Sequence, residues 1–230
     1  MAAADRTLLN GFYIRRTLWS LVGIAVLGLG SATLRVGGVG VDPYTAANIG
    51  IANTIGMDLG TYQLISNAVL FIPMLMWGRK YIGIGSILNM VLVGYFVQWF
   101  TTLLDPYFSD NPAAWQKMVT FAIGITLFSF GASLYMTSAL GNSPYDAVAP
   151  MIVDHTGTPY RVVRVIQDLL FVVLAVIFHG TIGAGTVVTA FFTGPLIETF
   201  TEKVNKPLMR KDLVAASARR SRTVMGRSHF

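Results

Sequence analysis

The sequence predicts an all-α, polytopic membrane protein made of two structural repeats. Each repeat has three spans plus one short broken or re-entrant helix, and the second is inverted relative to the first. Three observations predict this: long uncharged runs, an internal repeat, and basic residues gathered on one set of loops. Hydrophobic residues make up 53% of the 230 and charged residues only 12%, against roughly 25% charged in a soluble domain. Uncharged runs cover residues 17–34, 59–78, 81–104, 118–145 and 169–197, each near or beyond the roughly 18–20 residues that cross a bilayer. This density leaves no room for a separate soluble domain and sets soluble enzymes aside. The run 17–34 follows Arg15 and Arg16, as a signal core would, but it is long for one and reads as a retained first span.

The repeat emerges when the chain is slid along itself by 101 positions. Gly23, Gly30, Gly40, Pro43-Tyr44, Ala46 and Gly56 then fall on Gly124, Gly131, Gly141, Pro144-Tyr145, Ala147 and Gly157. One residue is then lost, and at an offset of 100 Gly83, Gly85, Gly94 and Phe100-Thr101 fall on Gly183, Gly185, Gly194 and Phe200-Thr201. Chance matches of Ile, Ala and Val are common in apolar sequences, whereas glycines and a Pro-Tyr pair in register are not. Each half thus reads as a long span, a glycine loop ending in Pro-Tyr, a short apolar segment, and two further spans.

The short segments, 43–57 and 144–153, are below spanning length, and segments of about 10 to 14 residues are more often re-entrant or interfacial. Both open with helix-start signals: Asp42 and Ser143 as caps, Pro43 and Pro144 in the first turn, and a serine-to-acid spacing from Ser143 to Asp146 that matches a capping box. Lys and Arg accumulate on the cytoplasmic side, and 11 of the 17 basic residues lie at the two ends of the chain. With six spans both termini, Arg79, Lys80, Arg161 and Arg164 are all cytoplasmic, leaving Arg35 and Lys117 outside. Eight spans with parallel repeats is the alternative, and it places the acidic loop 105–110 inside against that bias. The expected organisation is a cytoplasmic N-terminus (1–13), membrane repeat 1 (14–104), a connecting loop (105–116), membrane repeat 2 (117–203) and a basic cytoplasmic tail (204–230).

The repeated Gly-x-x-Pro-Tyr element, here Gly40-Val41-Asp42-Pro43-Tyr44 and Gly141-Asn142-Ser143-Pro144-Tyr145, resembles the bacterial YczE/YitT-type integral membrane proteins over about residues 12–202. The resemblance implies a multi-pass protein of the bacterial cell membrane. It supplies no substrate.

Candidate site residues follow from what a bilayer forbids. Backbone groups at a helix start need partners, and within hydrocarbon only protein, trapped water or a ligand offers them. The loops bearing Gly40, Asp42, Pro43 and Tyr44, and Gly141, Asn142, Ser143, Pro144, Tyr145 and Asp146, are therefore the candidate substrate-binding elements. Two helix N-termini meeting near the midplane would suit an anion or carboxylate. The other reading has them as interfacial turns with capping acids and belt tyrosines. A polar stripe of Gln63, Asn67, Arg164, Asp168 and Glu198 is the candidate pathway, because ionisable groups in a span face a cavity or a partner. Arg164 and Asp168 are spaced for an intrahelical ion pair, and Glu198 for a pairing with Lys203. The competing reading has Arg161 and Arg164 snorkelling to the headgroups with Asp168 neutralising them.

No catalytic set, metal site or cofactor is expected. The chain has no cysteine, His155, His179 and His229 show no ligand spacing, and Gly83-Ile84-Gly85 lacks the ending of a phosphate loop. The expected function is a small transporter or permease of an unknown small molecule, with its site at the repeat interface. The alternative is a non-transporting accessory protein acting through its basic tail. Expected partners are the bilayer, anionic headgroups at the tail and a second copy of the chain, with no nucleic acid.

Overall fold

The helices that start at Pro43, Leu59 and Pro144 begin after a capping Asp or Ser and end at a glycine. The computed structural model describes residues 3–109 and 112–210; the basic tail beyond Arg210 lies outside them. In chain order the main helices are α1 (Ala3–Val36), α2 (Pro43–Ile55), α3 (Leu59–Trp77), α4 (Ile84–Leu104), α5 (Ala114–Thr137), α6 (Pro144–Thr156), α7 (Tyr160–Ile177), α8 (Ala184–Phe191) and α9 (Thr193–Phe200), with no strand among the described residues. Within these, Tyr13–Val36, Leu59–Trp77, Ile84–Tyr107 and Ala114–Thr137 are long and apolar enough to cross a membrane. Helix α7 has 18 residues but carries Arg161, Arg164 and Asp168. Large apolar side chains including Val69, Trp99, Met118, Leu170 and Ile177 are exposed on the outer surface, as a lipid-facing surface requires.

Helices α2 and α6 are short for a physical reason at each end. Each has 13 residues, about 20 Å at 1.5 Å per residue, against a hydrocarbon core of about 30 Å. Asp42 Oδ1 accepts the Thr45 N–H at 3.0 Å and Ser143 Oγ accepts the Asp146 N–H at 3.0 Å. Gly56 and Gly157 terminate them at φ 71° and 68°, the left-handed cap that favours glycine. The expected capping box at Ser143 forms by half. Asp146 takes the Ser143 hydroxyl at 2.7 Å instead of reaching back to the Ser143 N–H, which donates to the Tyr135 hydroxyl.

Helices α1 and α5 form the central contact. Ideal Cβ atoms on Gly30 and Gly131 would lie 2.9 Å from the Gly124 carbonyl oxygen and 2.7 Å from that of Gly23. Glycines on both sides thus let the two backbones touch. Numbers rise along α1 as they fall along α5: Gly23 meets Tyr135, Gly30 meets Phe128, and Leu34 meets Gly124. The two helices run antiparallel.

The flanking loops cross over. Gly185 donates to the Val39 carbonyl at 2.7 Å and Val41 to that of Thr181 at 3.2 Å. Gly85 donates to the Leu140 carbonyl at 2.8 Å and Asn142 to that of Tyr81 at 2.9 Å. Gly50 of α2 packs on Phe178 and Gly180, while Met151 of α6 packs on Gly78 after α3. Each short helix is therefore seated on the opposite half of the chain. The main buried cluster, including Leu34, Val41, Ala46, Ile49 and Ala175, draws on both.

One element departs from expectation. The apolar run ending at residue 197 does not close with a single helix. α8 stops at Phe192, whose backbone sits at φ −121° and ψ −10°, before α9 resumes. Pro195 has no N–H to offer the carbonyl four residues back, and Gly194 adds no side chain to hold the turn.

Candidate functional site

At the crossing of the short helices, Tyr44 of α2 and Tyr145 of α6 stack face to face, with ring centroids 4.5 Å apart and planes at 19°. Phe171 of α7 meets both rings edge-on at 5.2 Å. Each hydroxyl is held by the neighbouring long helix. Tyr44 donates to Asn67 Oδ1 at 2.8 Å, and Tyr145 donates to the Asp168 carboxylate. The backbone carbonyls are held too: Asn48 Nδ2 donates to that of Tyr44 at 2.7 Å, and Gln167 Nε2 to that of Tyr145 at 2.9 Å.

Beside this pair opens a cavity of about 470 Å³, within the several-hundred-Å³ range of small-molecule sites. Asp42, Pro43, Tyr44, Gln63, Asn67, Tyr145, Asp146, Arg164 and Asp168 all line it, so nine of the sequence-selected residues converge on one space. Arg164 organises the charged wall. Its guanidinium lies 3.2 Å from Asp146 Oδ1 and 3.4 Å from Asp168 Oδ2, and over the Tyr145 ring at 4.7 Å. A guanidinium bridging two carboxylates of a low-dielectric wall satisfies all three, whereas any one alone would be costly.

The other selected residues take different places. Gly40, at φ 87°, and Gly141, at φ 106°, lie against Gly183 and Gly83, where a Cβ would collide with backbone. Asn142 and Ser143 are bound through their backbone N–H groups, and Pro144 is buried at the start of α6. These residues build the loops but do not line the cavity. Glu198 is exposed on α9, and among the described residues it forms no ion pair with Lys203; Lys206 pairs with Glu202 instead. Asn89, Tyr160, Arg161, Thr189 and Thr193 also line the cavity. The repeat could have flagged Asn89, a lone amide in an apolar run whose mate at offset 100 is Thr189.

Both helix N-termini facing this region already hold acids, Asp42 at the cap of α2 and Asp146 in the first turn of α6. Their partial positive charge is offset locally, which weakens the case for an anion there. A second, more polar hollow of about 760 Å³ is lined by Arg35, Asp58, Gln98 and Asp105. At a rim, Lys80 Nζ and the Tyr81 hydroxyl both lie 2.7 Å from Asp154 Oδ2. Lys80, then Tyr81, hold that carboxyl below its ordinary range.

The model of DUF6198, a family of unknown function, matches residues 14–202. The chain belongs to DUF6198. This DUF6198 protein is 28% identical over 185 residues to the uncharacterized membrane protein YczE of Bacillus subtilis, covering 80% of this chain and 84% of that one. It is 31% identical over 183 residues to an uncharacterized protein of Haemophilus influenzae, covering 78% and 80%. It is 26% identical over 192 residues to YyaS of B. subtilis, covering 83% and 94%. No solved structure matches it. Family and apolar helices together make it a membrane protein, in agreement with the resemblance carried by the Pro-Tyr loops.

Proposed function

We propose that this DUF6198 protein is a small permease whose halves are inverted repeats, and that it exposes the Tyr44–Tyr145 cavity alternately to the two sides of the membrane. The repeat pairing supports inversion. Tyr44–Asn67 and Tyr145–Asp168 are equivalent bonds, as are Gly85–Leu140 and Gly185–Val39, and the paired first helices run antiparallel. Broken helices meeting at a repeat interface are a recurrent transporter plan.

The observation that carries the reading is that positions matched by the repeat are packed together in the first half and stand open in the second. In the first half α3 and α4 are shut. Gly60 N–H donates to Gln98 Oε1 at 2.7 Å, and an ideal Cβ on Gly94 would lie 2.8 Å from Gln63 Cβ. In the second half the equivalent positions are Arg161, Glu198, Gly194 and Arg164. Gly194 has nothing within 4 Å of its Cβ direction, Glu198 is exposed, and the cavity enters there. By the basic-residue bias this open side is cytoplasmic. Exchange of the two gate conformations closes Glu198 onto Arg161 and frees Gln98 from Gly60.

The missing cysteines make this testable. The pairs Thr61→Cys/Gln98→Cys and Arg161→Cys/Glu198→Cys are introduced singly and together in this cysteine-free chain, and cross-linked in native membranes with a short bifunctional maleimide. Each pair is expected to cross-link in a fraction of molecules, and fixing either one is expected to reduce cross-linking at the other. Independent yields at the two gates would defeat alternation. Ser109→Cys, as a single thiol, is expected to react with an impermeant maleimide in intact cells; protection there would place loop 105–110 inside and end the inverted reading.

A further inference from the structure

Among the described residues, Asp42 is the acid of the cavity with no ion-pair partner. Asp146 and Asp168 share Arg164, but among the described residues no cation lies within ion-pair distance of Asp42. Its Oδ1 is spent on the Thr45 N–H, while Oδ2 is buried with no hydrogen-bond partner. Gln63, 1% exposed and also on the cavity lining, has a buried and unpartnered Oε1. A buried acceptor left unpaired is costly, and these two belong to residues that line one cavity. Three carboxylates, Asp42, Asp146 and Asp168, stand against two guanidiniums, Arg161 and Arg164, so with every group ionised the lining carries one net negative charge. The remaining wall is apolar and aromatic, with Leu27, Val93 and Phe128 beside the two tyrosines.

We infer that the cavity binds an organic ammonium ion, which donates N–H groups to Asp42 Oδ2 and Gln63 Oε1 and lays its apolar body against Leu27, Phe128 and the tyrosine pair. One positive charge brings the lining to neutrality and satisfies both orphan acceptors. An anion would do neither. The assignment names a substrate class for the proposed permease and rests on that reading for the cavity's role in transport; its recognition chemistry can be measured separately.

The test is thermal unfolding of the purified full-length protein in detergent, with benzylammonium and phenethylammonium against benzoate and phenylphosphonate at matched concentration. The expected result is a saturable rise of the midpoint with at least one ammonium and with neither anion. Asp42→Asn, which keeps a capping oxygen for Thr45 and removes the charge, is expected to weaken the effect tenfold or more. Asp42→Glu is expected to retain it, and Gln63→Leu to weaken it about tenfold, the effect of losing one hydrogen bond from a charged donor. Asp42→Ser, a second neutral cap, stands in if Asp42→Asn does not fold. The inference is overturned if the anions stabilise as strongly as the cations, if the response survives in the neutral cap variants, or if no ammonium shifts the wild type. Should the cross-linked gates still alternate in any of those cases, the permease reading survives and this inference alone falls; ammonium binding through Asp42 with independent gates would have the reverse meaning.

Discussion

The two halves solve the same packing problem with different chemistry. Around Tyr44 the residues are neutral, with Asn67 and Ser66 bonded to its hydroxyl and Gln63 one turn before Asn67, and the neighbouring helices α3 and α4 are in contact. Around Tyr145 the equivalent positions are Asp168 and Arg164, joined by Asp146, and the helices beyond them stand apart. Amides can be buried on one or two hydrogen bonds. A charged cluster needs all of its members, or water, because an uncompensated charge in low dielectric costs several kcal/mol. On the proposed alternation, the comparison teaches that the neutral half shuts with an amide against backbone, whereas the charged half shuts only when the Glu198 carboxylate meets the Arg161 guanidinium.

The largest expected effect comes from removing the centre of the charged half. Arg164→Ala leaves Asp146 and Asp168 unpaired and should lower stability by about 3 kcal/mol, whereas Gln63→Ala should cost about 1 kcal/mol, both read from unfolding midpoints in detergent. Converting the charged half to the neutral one with Arg164→Gln and Asp168→Asn together should recover much of that loss. If the double variant is no better than the sum of its singles, the coupling argument is wrong. Next in size, Tyr145→Phe removes a hydrogen bond to a carboxylate and should cost about 2 kcal/mol, against about 1 kcal/mol for Tyr44→Phe. Equal costs would erase the distinction between the halves. Gln98→Ala should weaken the shut gate by about 1 kcal/mol, seen as several-fold faster maleimide labelling of Thr61→Cys. The smallest effect belongs to the rim. Since Lys80 and Tyr81 depress the Asp154 carboxyl, its contribution is present above the ordinary aspartate value of about 3.9 and disappears as pH falls below it. Asp154→Asn should flatten that acid limb and leave the midpoint at pH 7 little changed, because Lys80 and Asp154 are solvent-exposed.

Much of this was legible because it is local. Caps, prolines and terminal glycines delimit α2 and α6 within a few residues, and the i, i+4 spacing of Arg164 and Asp168 announces their pair. The convergence of Asp42, Tyr44, Tyr145 and Asp146 was foreshadowed by the repeat, which marks equivalent loops without saying that they touch. What stayed hidden was long-range. Stacking of Tyr44 on Tyr145 depends on how the halves cross, and nothing within either segment encodes it. The split after α8 is not marked by Pro195 alone, since Pro73 sits inside a continuous α3; the adjoining Gly194 and the loose packing there tip the balance. Glu198 enters the candidate pathway on its sequence position alone, and it is exposed on α9.

The crossed loops have a consequence for synthesis. Val39 and Val41 bond to Gly185 and Thr181, groups that do not yet exist when the first loop enters the membrane. At roughly 5–20 residues per second the wait is on the order of ten seconds, during which these backbone groups must bond instead to water, headgroups or the insertion machinery. The first half is thus an unfinished client until the second arrives, and the interval between them, more than the final fold, is where this chain is most exposed to quality control.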